Sequence, residues 1–267
     1  YRPTPKKLRP KMKIASWNVN SLRVRLPQVM DWLKKTDVDV LAIQETKVED
    51  NSFPLEEITK EGFYCDYIGQ KTYNGVTTIS KTPPKETIKL INNKEQDQKR
   101  FLLTRYGKDL SVLNLYVVNG HEVGSEKFDY KLSWLKEVTK HIKNDLKKSK
   151  YYVVLGDFNI APADNDVHDP DAWKDKVLCS EKERKALESI MALGLKDTFR
   201  LFPQDKELYS WWDYRTGAFR RNRGLRIDLI LANNALSKKC TASYIDEEPR
   251  ENERPSDHAP VVAVYDI

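Results

Sequence analysis

The sequence predicts a layered α/β sandwich, and three observations carry that expectation. Apolar runs rich in Val, Ile and Leu recur along the chain, long enough to be strands covered on both faces. Amphipathic helical stretches lie among them without strict alternation, which favours stacked layers over a wound parallel sheet. No stretch has the composition of a linker and no repeat stands out. One domain over 12–267 is therefore expected, behind a basic, proline-rich leader at 1–11.

The first strand, "KIASWNVN" (13–20), ends in Asn18 and Asn20. A helix is expected before Thr36, with Leu22, Leu26, Val29, Met30 and Leu33 on one side. Ser21 is a candidate cap, but Pro27 moves the expected start to its own vicinity, because proline inside a helix removes a hydrogen bond. "VDVLAIQETK" (38–47) ends in Gln44 and Glu45. "GVTTIS", "TIKLIN" and "RFLLTRYG" read as shorter strands of one meander. "LSVLNLYVVNG" (110–120) brings Tyr116 and Asn119 to its end.

From 125 to 150, Phe128, Leu132, Leu135, Val138, Ile142 and Leu146 fall at steps of three and four. They predict a long amphipathic helix whose lysines form a solvated face. "YYVVLGDFN" (151–159) ends in Asp157 and Asn159, two apart, so an extended backbone sends both side chains out on one face. A turn in which Asp and Asn bond their own backbone is the plain alternative. At 180–195 a second helix opens with Ser180 as cap and Glu183 completing a capping box. "LRIDLILA" (225–232) carries Asp228 within an apolar run. A buried carboxylate is costly unless paired, so His258 or an arginine is expected beside it. "PSDHAPVVAVYDI" (255–267) sets Asp257 and His258 just ahead of the last strand.

Composition narrows the class. Lys plus Arg outnumber Asp plus Glu by 46 to 40, and this +6 points only weakly to an acidic partner. Cys65, Cys179 and Cys240 are few and far apart, which argues against a disulfide scaffold and a cysteine zinc site. No apolar run approaches the roughly 20 residues that cross a bilayer. The leader has no apolar segment of the secretory kind. The expected setting is a reducing compartment, cytoplasm or nucleus, with no membrane.

The polar strand ends form one candidate site: Asn18, Glu45, Asp157, Asn159, Asp228 and Asp257, joined by Tyr116 and His258. Taken singly, Tyr116 reads as a core tyrosine and Asn18 as a strand-end cap. Together they are hard oxygen donors of the type that suits Mg²⁺ (or Mn²⁺). Zinc would call for more histidine or cysteine than this chain, with four His, places near the set.

"SWNVNSLRVR", "QETK", "NLYVVN", "GDFNIAP", "GLRIDLIL" and "SDHAPV" follow one another in the order seen in the exonuclease III family of AP endonucleases. From Met12 onward the chain resembles that family, part of the endonuclease/exonuclease/phosphatase superfamily. The resemblance implies a four-layered α/β sandwich, two face-to-face mixed β-sheets flanked by helices. It also implies a Mg-dependent monomer acting on double-stranded DNA at abasic sites and 3′ ends. Glu45 would then be the main metal carboxylate, with Asn18 beside it and Asp257 near a second metal position. Asp157, helped by Asn159, would activate water; His258, held by Asp228, would contact the phosphate. Tyr116 would bond the phosphate or the leaving oxygen.

For the substrate, "SWWDYRTGAFRRNRGLRID" (210–228) interleaves Trp211, Trp212, Tyr214 and Phe219 with Arg215, Arg220, Arg221, Arg223 and Arg226. Arginine among aromatics suits phosphates and unstacked bases; a solvated basic loop is the plainer reading. The resemblance adds Asn119 as a contact and an apolar pocket for a flipped abasic sugar at Trp211, Leu225 and Ile227. Two departures from mammalian members stand out: Asn20 replaces their Asp, and "NGHEVGSEKF" lacks the arginine they insert into DNA. His168, on the loop after Asp157, reads most plainly as a surface histidine; the alternative is that its ring, near the sugar pocket, biases the enzyme towards 3′-end processing. A phosphomonoesterase of lipids or inositol phosphates and a non-catalytic DNA binder are the rival classes.

Overall fold

The computed structural model describes residues 11–91 and 98–267; most of the basic leader lies outside them. Its elements run β1 (Met12–Asn18), α1 (Leu22–Thr36), β2 (Val40–Gln44), α2 (Leu55–Thr59), β3 (Tyr64–Ile68), β4 (Val76–Ser80), β5 (Glu86–Ile88), β6 (Phe101–Tyr106) and β7 (Leu110–Tyr116). Then come α3 (Glu126–Asp145), β8 (Tyr151–Asp157), α4 (Pro170–Trp173), α5 (Glu181–Met191), β9 (Leu195–Asp197), β10 (Trp211–Trp212) and β11 (Gly224–Leu225). The chain closes with β12 (Asp228–Asn233), α6 (Asn234–Ser237), β13 (Cys240–Ile245) and β14 (Val261–Tyr265).

Two mixed six-stranded sheets result, ordered β13-β14-β1-β2-β4-β3 and β5-β6-β7-β8-β12-β9. Period-two alternation decides what each strand shows to each layer. Ile14, Val40, Ala42, Val112, Val153, Leu155, Ile230 and Ala263 meet between the sheets. Ala15, Trp17, Leu41 and Ile43 face outward under Leu22, Val29 and Leu33 of α1. On the other side Leu113, Leu115, Val154, Leu229 and Leu231 lie under Trp134, Leu135, Val138 and Ile142 of α3 and Ile190 of α5. Helix, sheet, sheet, helix is the four-layered sandwich expected.

The same alternation carries polar residues inward as the strands approach one end. Gln44 on β2 donates to Asn114 Oδ1 on β7 (2.9 Å) and to Ser16 Oγ (3.0 Å). Asn114 in turn donates to the carbonyls of Ile43 (3.2 Å) and Thr77 (2.9 Å). This fully buried bridge joins the facing sheets.

Three local expectations need correcting. Helix α1 begins at Leu22, ahead of Pro27, and Ser21 makes no side-chain cap. The start is fixed from outside, by Ser21 and Leu22 N–H groups donating to the carbonyls of Glu45 (2.8 Å) and Thr46 (3.0 Å). The meander is split: β4 pairs with β2 and β3, whereas β5 and β6 belong to the other sheet. The apolar run around Asp228 is likewise broken, and β12 starts at Asp228 itself. The capping box of Ser180 and Glu183 is formed as expected.

Candidate active site

Strand register builds half of the site. Tyr116 on β7 and Asp228 on β12 are the direct neighbours of Asp157 on β8. These three form one row across adjacent strands, about 4.8 Å apart in the pairing direction and on one face. Just before Asp157, Gly156 has φ +145°, and a Cβ there would lie 1.9 Å from the Leu115 carbonyl oxygen, so only glycine permits this approach of β8 to β7.

The facing sheet supplies the other half. Asn18, at the end of β1, donates through Nδ2 to Glu45 Oε1 and Asp157 Oδ2, both at 2.9 Å, linking the two sheets. Its own Oδ1 accepts the Asn20 N–H (3.0 Å), so Asn18 faces the carboxylates as a donor. Glu45 follows β2 with φ 53°, a left-handed kink that lifts its side chain off the strand line. His258 Nδ1 meets Asp228 Oδ2 at 2.8 Å and its Nε2 lies 3.6 Å from Asp157 Oδ2. The partner expected for Asp228 is thus His258.

Asn159 reaches the site by a route other than strand alternation. It sits at φ 48° beyond the end of β8, and its N–H donates to Asp157 Oδ1 (2.9 Å). This is the turn of the plain reading, and it also seats Asn159 against Asp157. Its Nδ2 donates to the Val117 carbonyl (2.8 Å), and the exposed Asn119 approaches its Oδ1 at 3.5 Å.

Burial and crowding set the charges. Burial is the largest influence on Asp157 and, with the charges of Asp228 and Glu45, pushes it up to about 7 against the pull of His258 and Asn18. Burial acts to discharge His258, but Asp228 and Asp157 outweigh it and raise it to about 10. Glu45 is also penalised by burial, yet the Asn18 hydrogen bond and nearby His258 and Lys47 hold it below the usual carboxylate range. Burial, then the Glu45 and Asp157 charges, keep the Tyr116 hydroxyl protonated.

Donor atoms of Glu45, Asp157 and His258 lie within 4.8 Å of one another. An imidazole held as a cation between two carboxylates has no lone pair to offer, so the carboxylates are the donors fit for a divalent ion. Asp228 Oδ1 and Asp257 Oδ1 are buried without a partner among the described residues, which leaves donor capacity unspent at this end. Asp257 lies outside the tight group; its Oδ2 accepts the Trp211 indole N–H at 3.0 Å.

The expected substrate residues divide. Leu225 and Ile227 join Ala161, Val167 and Leu178 in an apolar cluster, with Trp211 and Trp173 packed over it in an edge-on pair at 6.4 Å. Arg215, Arg221 and Arg223 are exposed. Trp212 is a correction: it is fully buried, its N–H donates to Asn222 Oδ1 (3.1 Å), and Phe219 meets its ring edge-on. Its neighbours occupy the faces that a base would need. Arg226 is another, buried and paired with Asp166 and Asp197. His168 is half-buried, with Nδ1 3.2 Å from the Gly224 carbonyl.

Four supporting residues escaped the sequence reading. Ser256 Oγ donates to the Asn18 carbonyl (2.6 Å) and accepts the His258 N–H (3.2 Å). Ser210 Oγ accepts the N–H groups of Ile227 and Asp228, both at 3.0 Å. Arg100 stacks its guanidinium over the Tyr116 ring at 4.7 Å, and Lys47 stands 3.3 Å from Glu45. Ser256 lay inside "PSDH" and was open to notice; an arginine 16 residues from Tyr116 carries no local signal.

Known proteins share this arrangement of sheets. Residues 15–258 match the model of the Endonuclease/Exonuclease/phosphatase family. An exodeoxyribonuclease III of Haemophilus influenzae is 35% identical over 267 residues, covering 95% of this chain and all of that one. A Neisseria 3′ phosphatase bound to a product DNA hairpin is 40% identical with TM-score 0.94, over 96% of this chain and all of the other. An AP endonuclease from Archaeoglobus fulgidus is 37% identical with TM-score 0.91 over the same shares. The chain therefore belongs to the Endonuclease/Exonuclease/phosphatase family, in its exonuclease III group.

Proposed function

We propose that this chain is a DNA repair phosphodiesterase of base excision repair. It hydrolyses the backbone 5′ to abasic sites and also removes nucleotides and phosphate from 3′ ends, acting as a monomer. The observation that carries this reading is the row Tyr116–Asp157–Asp228 facing Asn18, Glu45 and His258 across the inter-sheet gap. The exodeoxyribonuclease III, 3′ phosphatase and AP endonuclease relatives support it.

Asp157, poised near neutrality, takes the proton from an attacking water, a contribution of about 10²–10⁴-fold. Asn159 and Asn18 fix that carboxylate from two sides. The His258 imidazolium, oriented by Asp228, donates to a nonbridging phosphate oxygen, where negative charge builds. The protonated Tyr116 hydroxyl stands ready for the oxygen that leaves phosphorus. Glu45, with Asp257 at the margin, would hold Mg²⁺ (or Mn²⁺), which would supply positive charge to the phosphate. Trp211 over Leu225 and Ile227 walls the place of the abasic sugar, which flips at little cost because it has no base to unstack. Exposed Arg215, Arg221 and Arg223 contact DNA phosphates.

A duplex with one tetrahydrofuran abasic analogue tests the proposal. Incision 5′ to the analogue with Mg²⁺, abolished by EDTA, is expected; hydrolysis of inositol phosphates with the duplex left intact would overturn it. His168, beside the apolar wall, is proposed to tilt the balance towards 3′ ends. His168→Gly should raise the ratio of abasic-site incision to 3′-end removal, and an unchanged ratio would discard that role.

A further inference from the structure

The lysines of α3 are expected on a solvated face, and Lys131 breaks that pattern. It is fully buried, and so is Glu183 of α5, which receives its ammonium. The other two Lys131 bonds go to main-chain carbonyls, Asn159 at 2.6 Å and Asn119 at 3.0 Å. An ammonium has three donors, and all three are used. Glu183 is equally occupied: Leu178 N–H (2.9 Å) on Oε1, and Ser180 N–H (3.1 Å) and hydroxyl (2.5 Å) on Oε2.

This cluster therefore joins two helices to the two loops that leave β7 and β8 toward the site. Those loops need an external tie. Asn159 holds a left-handed φ of 48° and Gly120, next to Asn119, a φ of +93°. A non-glycine residue in that region is held there by its surroundings. A Cβ on Gly120 would come within 3.0 Å of the Lys131 side chain, so the turn and the lysine are fitted to one another.

We infer that Lys131, locked by Glu183, is a positioning residue that holds the Asn159 and Asn119 main chains so that the Asn159 N–H bears on Asp157. It touches neither substrate nor metal; it acts through Asn159. The inference rests on the proposed nuclease reading, and wild-type incision of the tetrahydrofuran duplex, run alongside, separates failure of that reading from failure of this one.

The test is a double-mutant cycle, because residues acting through one another are not additive. Asp157→Asn is made in wild type and in Lys131→Met/Glu183→Leu, which replaces the ion pair by an apolar contact of similar bulk. In single-turnover incision, the apolar-pair variant is expected to lose at least 10-fold in rate with DNA affinity within about twofold of wild type. In the Asp157→Asn background the same apolar pair should cost under threefold, because the carboxylate it serves is gone. Lys131→Arg, which keeps a cation able to reach carbonyls, should recover most of the rate. Equal cost of the apolar pair with and without the Asp157 carboxylate, or a wild-type rate for the apolar-pair variant, would overturn the inference.

Discussion

Two buried charged clusters of this molecule have the same ingredients and opposite characters. In the first, Arg226 is bonded by Asp166 (2.7 Å) and by both oxygens of Asp197 (3.1 and 2.6 Å), and Arg200 adds a second cation on Asp166 (2.5 Å). The remaining Asp166 oxygen accepts the Ala163 N–H (3.1 Å), so both carboxylates are fully engaged. In the second, Asp157, Asp228 and His258 leave Asp228 Oδ1 with no partner, and Asp157 and His258 stand too far apart, at 3.6 Å, for a good hydrogen bond. One cluster is closed and fixes the loop at 164–168 against β9. The other is open, and burial, with the crowded charges of Asp228 and Glu45, pushes Asp157 up to about 7. Burial of charge alone does not set the proposed catalytic cluster apart; crowding of carboxylates beside an unspent oxygen does.

Breaking each cluster should read out differently. The largest effect is expected in the open one: Asp157→Asn or His258→Asn should lower incision by at least about 10³-fold, in the range seen when acid–base and orienting groups are removed. The circular dichroism spectrum should stay native; near-normal rates would show that chemistry lies elsewhere. In the closed cluster, Arg226→Met strips Asp197 of its cation while Asp166 keeps Arg200, and should destabilise by about 3–5 kcal/mol, measured by urea unfolding. A change below about 1 kcal/mol would deny that cluster its structural role.

A pH series sharpens the contrast further. His258 is raised from 6.5 to about 10 in the folded protein, so its stabilising contribution is complete below 6.5 and is lost as pH rises through about 10. In EDTA, the melting-temperature gap between wild type and Asp228→Asn should therefore be widest near the lower bound and narrow toward the upper one. A gap that widened with pH would contradict the ion pair. The smallest effect belongs to the exposed loop: Arg215→Ala, Arg221→Ala and Arg223→Ala should each shallow the logarithmic salt dependence of DNA binding by up to about 0.9. An unaltered slope would remove that arginine from the DNA contact.

What the sequence made readable, and what it hid, follows from the range of the forces involved. Apolar runs with polar ends located the strands of the site, because alternation is local and register then brings Tyr116, Asp157 and Asp228 abreast. The pairing of Asp228 with His258 was legible from the cost of burying a lone carboxylate. Strand ends were read too long, since Glu45 and Asn159 turn left-handed where the strands stop, and tertiary hydrogen bonds decide that. Trp212 and Arg226 were misread for a related reason. They belong to one stretch with the exposed Arg215, Arg221 and Arg223, whereas their burial is set by Asn222, Phe219, Asp166 and Asp197, which the fold brings near. Lys131 was hidden in the same way among lysines that face solvent.

The Gln44–Asn114 bridge precedes, on β2 and β7, the strand ends that bear Glu45 and Tyr116, and the two halves of the proposed reaction centre belong to different sheets. That makes the thickness of the inner layer a catalytic dimension: it works as a caliper whose jaws are Asn18 and Asp157. Small residues such as Ala42 and Ala263 lie in that layer, so a bulkier side chain there would press on the jaws as well as on the packing.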